Sequence, residues 1–335
     1  FNLKKIDVSF LLLAMNVVTG VSGAGKSTLT DHILGAFLRE KLNGAYGETG
    51  KFHALRGWEE IGKVISVDQS PIGRTAGRNQ ATYTGLFDHI RDLFARQPEA
   101  QTRGFDKSRF SFNTAGGRCE SCQGAGYQLT GMHFMGNVEV LCEACEGRRF
   151  DDETLAVTFR GKTVSDVLEM TVSEAEKFFS GEQKILRYLE TLDSLGLGYI
   201  TLGQRSSTLS GGEAQRIKLA TELARPQSAH TLYILDEPTT GLHQADVGIL
   251  LGALNRLIDQ GHTVILIEHH PALIAAADRV IVLGREADVR AADGTPIETW
   301  ETDEPSDRGI DGIDRMRLVE IEGIERVSID DIRRA

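Results

Sequence analysis

The chain has 335 residues, 41% of them hydrophobic and 25% charged, with a formal net charge of −11. That length suits one large or two linked domains with a sizeable core, and the composition excludes a fibre, a disulfide-rich module and a disordered chain. The acidic balance excludes a globally basic nucleic-acid binder, and no apolar run approaches the ~20 residues of a membrane-spanning helix.

The chain opens on Phe1 rather than Met, which leads us to expect further chain before it. An apolar stretch, Phe10 to Met15 with Val17 and Val18, runs straight into a glycine-rich loop and reads as a buried strand. The loop is Gly20-Val21-Ser22-Gly23-Ala24-Gly25-Lys26-Ser27-Thr28, and Leu29 to Leu38 follows with helical periodicity. This is the strand–loop–helix setting of a P-loop. Its glycines, Gly20, Gly23 and Gly25, let amide groups of the loop, including those of Ser22 and Thr28, approach phosphate oxygens. The helix N-terminus adds positive potential there. Lys26 reaches the β- and γ-phosphates of ATP, and the Ser27 hydroxyl ligates Mg²⁺.

Next comes a short strand, Lys63 to Val67, with Gln69 just beyond it as a candidate contact to metal or attacking water. From Arg74 to Arg118 the chain carries eight basic and four acidic residues, a local net of +4. Arg74, Arg78, Arg103, Lys107, Arg109 and Arg118 are therefore candidates to face an anion, weighed against their being ordinary ion-paired surface groups, and the resemblance named below makes them the candidate DNA contacts.

The four cysteines fall as Cys119-x-x-Cys122 and Cys142-x-x-Cys145, with nineteen residues between the pairs. Two such knuckles close one tetrahedral Zn²⁺ site. The alternatives are two disulfides or a redox pair. A P-loop ATPase belongs in a reducing, cytoplasmic compartment, which disfavours disulfides. With four Cys ligands and no open position, the site reads as structural.

Leu209-Ser210-Gly211-Gly212-Glu213 precedes a helical run to Leu223. Ser210 caps that helix, and Gly211 and Gly212 permit close approach to a phosphate. The apolar strand Thr231 to Leu235 ends in Asp236-Glu237. Asp236 is expected to hold Mg²⁺, and Glu237 to act as general base on the attacking water. A helix over 246–259 and a strand Thr263 to Ile267 follow, and that strand ends in Glu268-His269-His270. His269 is expected to meet the γ-phosphate. From Glu286 to Ala335 there are seven basic and fifteen acidic residues, so this acidic tail reads as a solvated face.

In combination these motifs look like an ABC-type ATPase with something inserted between P-loop and signature, since 184 residues separate Lys26 from Ser210. No sustained heptad pattern fills the gap, unlike the coiled-coil insertions of Rad50- and SMC-like proteins. The insert's own phrases narrow the resemblance. Asp68 to Thr75, Asn79 to Gly85, Arg109 to Asn113, Gly116 to Cys119, Gly196 to Tyr199, Thr208 to Arg216 and Tyr233 to His243 resemble the C-terminal half of the UvrA family, the damage-recognition ATPases of the bacterial excinuclease. The resemblance runs from about Asn2 to Leu283. After Leu283 the family's glycine-rich stretch is replaced by Gly284 to Ala292.

The resemblance implies an α/β fold: a RecA-like P-loop ABC ATPase core from residues 1–70 and 200–285. A zinc-bearing signature region would be inserted at 71–199, its zinc module at 116–147, with 286–335 as the acidic tail. It implies ATP, Mg²⁺ and Zn²⁺ as cofactors and duplex DNA as a partner, without a membrane. It also implies head-to-tail pairing with a second ABC half, in which Ser210, Gly211 and Gly212 close over the neighbour's ATP. The excinuclease subunit UvrB is the implied protein partner. No second metal–carboxylate cluster is visible, so no nuclease of its own is expected. The rival readings are a UvrA-like ATPase for resistance to DNA-binding drugs, a transporter ATPase subunit, and a non-hydrolytic module that only completes its partner's site.

Overall fold

The computed structural model describes residues 3, 6–44, 49–72, 79–132, 136–225, 229–284 and 318–322. The chain forms two compact units, Phe1–Gln69 with Pro226–Ala335, and Ser70–Arg225.

In the first unit five strands form a wholly parallel sheet. Their order is Lys63–Val67, Thr231–Asp236, Thr263–Ile267, Met15–Gly20, Arg279–Leu283. The central strands are rich in apolar residues, as strands covered on both faces are, and all of Thr263–Ile267 is buried. One face receives the helix after the glycine loop, which starts in wide π-helical turns over Thr28–Gly35 and continues as α-helix over Ala36–Asn43. Leu29, Ile33, Leu34 and Leu38 from this segment share a core with Val18, Leu232, Ile234 and Ile265. Left-handed Gly44 ends it, at φ 63°.

Register decides what the sheet presents. Val18 pairs with Ile267, Asp236 with Ile267, Val67 with Leu235, and Gly20 with Leu283. The carboxyl ends therefore lie level, and the residues just past them meet at one edge. The register also leaves no room for a side chain at Gly20, which has φ 133°. A Cβ there would lie 1.8 Å from the Leu283 carbonyl oxygen.

A second, antiparallel sheet has the order Val8–Leu11, Leu318–Glu322, Ala54–Arg56. Its middle strand comes from the acidic tail that the charge count marks as a solvated face. Leu318-Val319-Glu320-Ile321-Glu322 alternates apolar and acidic residues, and Val319 is buried with Phe10 and Leu55 in the core. Local alternation outweighs the net charge of the segment. The rest of the tail lies outside the described residues.

The second unit is mainly helical, with an antiparallel hairpin of Tyr127–Met132 and Gly136–Leu141. Phe87, Phe112 and Phe150 pack ring against ring within it. Its short helices start at side-chain caps, with reciprocal capping boxes at Asn79–Thr82, Thr163–Asp166, Thr171–Glu174 and Ser210–Glu213. The signature helix Gly211–Ala224 packs on Gln183–Asp193 and Gln80–Thr84. It thus lies with the second unit, which runs from Ser70 to Arg225. Burial of Ala214, Ile217, Leu219 and Ala220 against those helices is the physical reason.

Candidate nucleotide site and cysteine centre

Ser22, Gly23, Gly25, Lys26, Ser27, Thr28, Gln69, Asp236, Glu237 and Ile267 line one cleft of about 630 Å³. That volume is in the range of small-ligand and cofactor sites. It lies beyond the carboxyl ends of parallel strands, where open α/β sheets bind ligands. Lys26 is 8% exposed, and its ammonium donates to the carbonyls of Gly20 at 2.7 Å and Val21 at 3.1 Å. The cation is thus held at the loop's centre by the loop itself.

Opposite stands an acidic group. Burial pushes the Asp236 carboxyl above its usual range, and the neighbouring charges of Asp31 and Glu237 push the same way against Lys26. Burial likewise raises Asp31, although Arg39 and a hydrogen bond from Ser66 oppose it. The Asp236 carboxyl at the cleft offers oxygen ligands of the kind that fit a hard divalent cation such as Mg²⁺. Ser27 lines the same cleft.

Glu237 occupies the left-handed region at φ 45°. A non-glycine residue there costs about 1–3 kcal/mol and persists only where its surroundings over-determine it. Here its amide donates to the Ile267 carbonyl at 2.9 Å, and its own carbonyl accepts from Thr240 N at 3.0 Å and Gln69 Nε2 at 3.4 Å. The half-exposed carboxylate faces His269, whose Nε2 is 4.0 Å from Glu237 Oε1. The other ring nitrogen, Nδ1, lies 3.4 Å from Thr19 Oγ1. His270 does something else: its Nδ1 accepts from Ala272 N and caps the helix Pro271–Ala275. Geometry thus gives the two adjacent histidines different partners.

Sequence reasoning missed Asp31, Thr19 and Glu268. Asp31 gave no signal beyond its place in the first turn after the loop. Glu268 sits beside the histidine that drew attention and is buried beneath it.

In the second unit Ser210 Oγ accepts from Glu213 N at 3.2 Å, and Glu213 Oε2 accepts from Ser210 N at 2.7 Å. The Tyr199 hydroxyl donates to Glu213 Oε1 at 2.5 Å. Burial opposes ionisation of Glu213, but the Tyr199 and Ser210 donors hold its carboxyl below the usual range. The signature loop, Ser210 to Gly212, is therefore pinned at the start of its helix.

The cysteine pairs converge. The four sulfurs lie within 4.8 Å of one another, with Cys119–Cys142 at 3.9 Å and Cys122–Cys145 at 3.7 Å. Zn–S bonds of ≈2.3 Å in a tetrahedron place sulfurs roughly 3.8 Å apart, so the donor set and spacing fit Zn²⁺. The knuckle turns supply second contacts: Gly126 N donates to Cys122 Sγ at 3.3 Å, and Cys119 N to the Arg149 carbonyl at 2.9 Å. Gly124 is required in the first turn, since a Cβ there would lie 1.9 Å from the Phe112 carbonyl oxygen.

The basic candidates are mostly engaged within the unit. Arg109 donates to Asp151 and Glu153 at 3.0 Å each and to Thr154 Oγ1 at 2.8 Å, and it lies 4.3 Å over the Phe105 ring. Arg118 pairs with Glu120 at 3.2 Å, and Lys107 with Asp92 at 3.6 Å. Arg103 lies 6.0 Å over Phe105. Arg74 and Arg78 fall outside the described residues.

Residues 136–240 match the ABC transporter family. The UvrABC system protein A of Staphylococcus epidermidis is 52% identical over 301 residues, which are 89% of this chain and 32% of that protein. Its counterpart in Bacillus subtilis is 52% identical over 307 residues, 90% of this chain and 32% of that protein. The crystal structure of UvrA2 from Deinococcus radiodurans superposes with a TM-score of 0.76 at 50% identity, covering 84% of this chain and 34% of that one. The chain thus spans about one third of the length of the curated relatives it matches.

Proposed function

We propose that the chain is a UvrA-family ABC ATPase, as its 52% identity to UvrABC system protein A over 89% of its length supports, and that it binds and hydrolyses ATP to control duplex-DNA binding during nucleotide excision repair. The observation that carries this is the convergence of Lys26, Gln69, Asp236 and Glu237 on one cleft at level strand ends, with His269 beside Glu237. Lys26 exchanges its loop carbonyls for phosphate oxygens. Ser27 and Asp236 hold Mg²⁺, which supplies charge neutralisation on the phosphates when bound. Glu237 takes a proton from the attacking water, Gln69 orients that water, and His269 holds the γ-phosphate side. Ser210, Gly211 and Gly212 serve the ATP of a second ABC half, so turnover requires pairing. Cys119, Cys122, Cys142 and Cys145 hold a structural Zn²⁺ in the signature region. UvrB is the protein partner on this reading.

The test is the ATPase rate of the chain paired with a second ABC half, alone and with damaged or undamaged duplex DNA. Turnover that changes more with damaged DNA supports the repair reading. Turnover indifferent to all DNA sinks it and leaves a bare ABC ATPase. The replaced glycine-rich stretch at Gly284 to Ala292 favours a second reading, an ATPase protecting against DNA-binding drugs. Stimulation by drug-loaded but otherwise undamaged duplex, with none by lesions, favours it. Among the described residues no helix is long and apolar enough to cross a membrane.

A further inference from the structure

Glu268 is 2% exposed, and its carboxylate accepts four hydrogen bonds. Oε1 accepts from Thr239 N at 2.9 Å and from the Thr239 hydroxyl. Oε2 accepts from His269 N at 2.7 Å and His270 N at 3.0 Å. These partners are all neutral donors. A buried carboxylate is stable only with such a complete donor set, so the arrangement is costly to disturb.

The two halves of that donor set belong to different segments. Thr239 lies in the turn that starts at Glu237, and His269 follows the neighbouring strand Thr263–Ile267. Each segment carries one group of the proposed hydrolytic machinery, Glu237 on the first and His269 on the second, 4.0 Å apart. We propose that Glu268 is a positioning residue for ATP hydrolysis: it ties the Thr239 turn to the His269 backbone and so sets the separation of His269 from Glu237. This rests on the ATPase reading above. The hydroxyl and amide of Thr239 fill one oxygen of Glu268, and the two histidine amides fill the other. Only a side chain with two accepting oxygens satisfies both segments at once. Glutamine has the same shape, but it must turn an NH₂ group toward one pair of donors.

The experiment is a kinetic cycle in the protein paired with a second ABC half: wild type, Glu268→Gln, His269→Ala and the double variant. We expect Glu268→Gln to lower kcat by about tenfold or more, with KM for ATP within about twofold, since it leaves the phosphate loop alone. In the His269→Ala background the further loss should shrink to less than about twofold, because residues acting as a unit are non-additive. A Glu268→Gln loss of equal factor in both backgrounds, a KM effect without a kcat effect, or no effect overturns the proposal.

If Glu268→Gln does not fold, Thr239→Val and Thr239→Ser decide. The valine variant removes one donor and should lower kcat only when His269 is present. The serine variant keeps the hydroxyl and should restore it. Equal behaviour of the two overturns the proposal. Absence of Mg²⁺-dependent turnover in wild type would instead sink the ATPase reading itself. Wild-type turnover with an unaffected Glu268→Gln sinks only the positioning role.

Discussion

The Lys26 ammonium donates to the Gly20 carbonyl at 2.7 Å, so the loop that would cradle phosphate is tied together by its own cation. On the proposed reading the lysine has two tasks, closing the loop and meeting the ligand. Lys26→Ala removes both. A hydrogen bond to a charged group contributes about 1.5–3 kcal/mol. ATP affinity should therefore fall about 10- to 100-fold, as read by calorimetry. Unchanged affinity would place the nucleotide elsewhere.

Glu237 combines a strained backbone with the general-base role proposed for it. Glu237→Gln keeps the shape and should retain ATP binding while turnover falls about 10²–10⁴-fold, the usual reach of a general base. Glu237→Gly should also lose turnover, yet relief of the φ 45° strain should raise Tm. Thermal melts of the two variants at equal pH separate the backbone effect from the chemical one.

Asp236 has a raised carboxyl pKa, caused first by burial and then by Asp31 and Glu237. A raised carboxyl favours the folded state in its protonated form, and that contribution is lost as pH rises from 3.8 through the folded value. At neutral pH the ionised group therefore works against folding. Asp236→Asn should raise Tm at pH 7–8 in the absence of nucleotide, an advantage that shrinks as pH approaches 3.8, while Mg²⁺-dependent turnover disappears. A lower Tm at neutral pH would contradict the electrostatic account.

Arg109 is enclosed by Asp151, Glu153, Thr154 and Phe105. Arg109→Ala should destabilise the second unit by about 1–3 kcal/mol, since it removes charge-assisted bonds from a mostly buried guanidinium. The salt dependence of DNA binding should keep its slope, because no phosphate contact is lost. A slope reduced by about one with unchanged stability would make Arg109 a DNA contact after all.

Removal of metal should act on the second unit alone. We expect one Zn²⁺ per chain, extracted by a strong chelator with a fall in Tm, and tetrahedral thiolate absorption after Co²⁺ replacement. Metal-free protein with an unchanged melt would leave the four sulfurs as a thiol cluster of another kind.

Much of the nucleotide site was legible because its residues sit at the ends of apolar runs. Gly20 to Thr28, Gln69, Asp236 and His269 each lie at or just past the end of a strand, and parallel strands of similar length deliver their ends to one edge. Cys119, Cys122, Cys142 and Cys145 were legible from spacing alone. Charge was a poorer guide. The run of basic residues from Arg74 to Arg118 includes Lys107, Arg109 and Arg118, which the fold pairs with carboxylates close in space but not all close in sequence. The acidic tail hid Leu318–Glu322, whose alternation was outvoted by its surroundings in a simple charge count.

By itself the sequence determined the local patterns of residue types on which the proposed chemistry rests: a glycine loop around Lys26, two cysteine pairs and an Asp-Glu pair at a strand end. Those patterns are local because loops, knuckles and caps are built by consecutive residues. The tertiary structure decided that His270 caps a helix, that Glu268 joins two segments, and that the signature helix packs with the second unit. These depend on strand register and side-chain burial. Both are set by contacts between residues far apart in the chain, which no local pattern records.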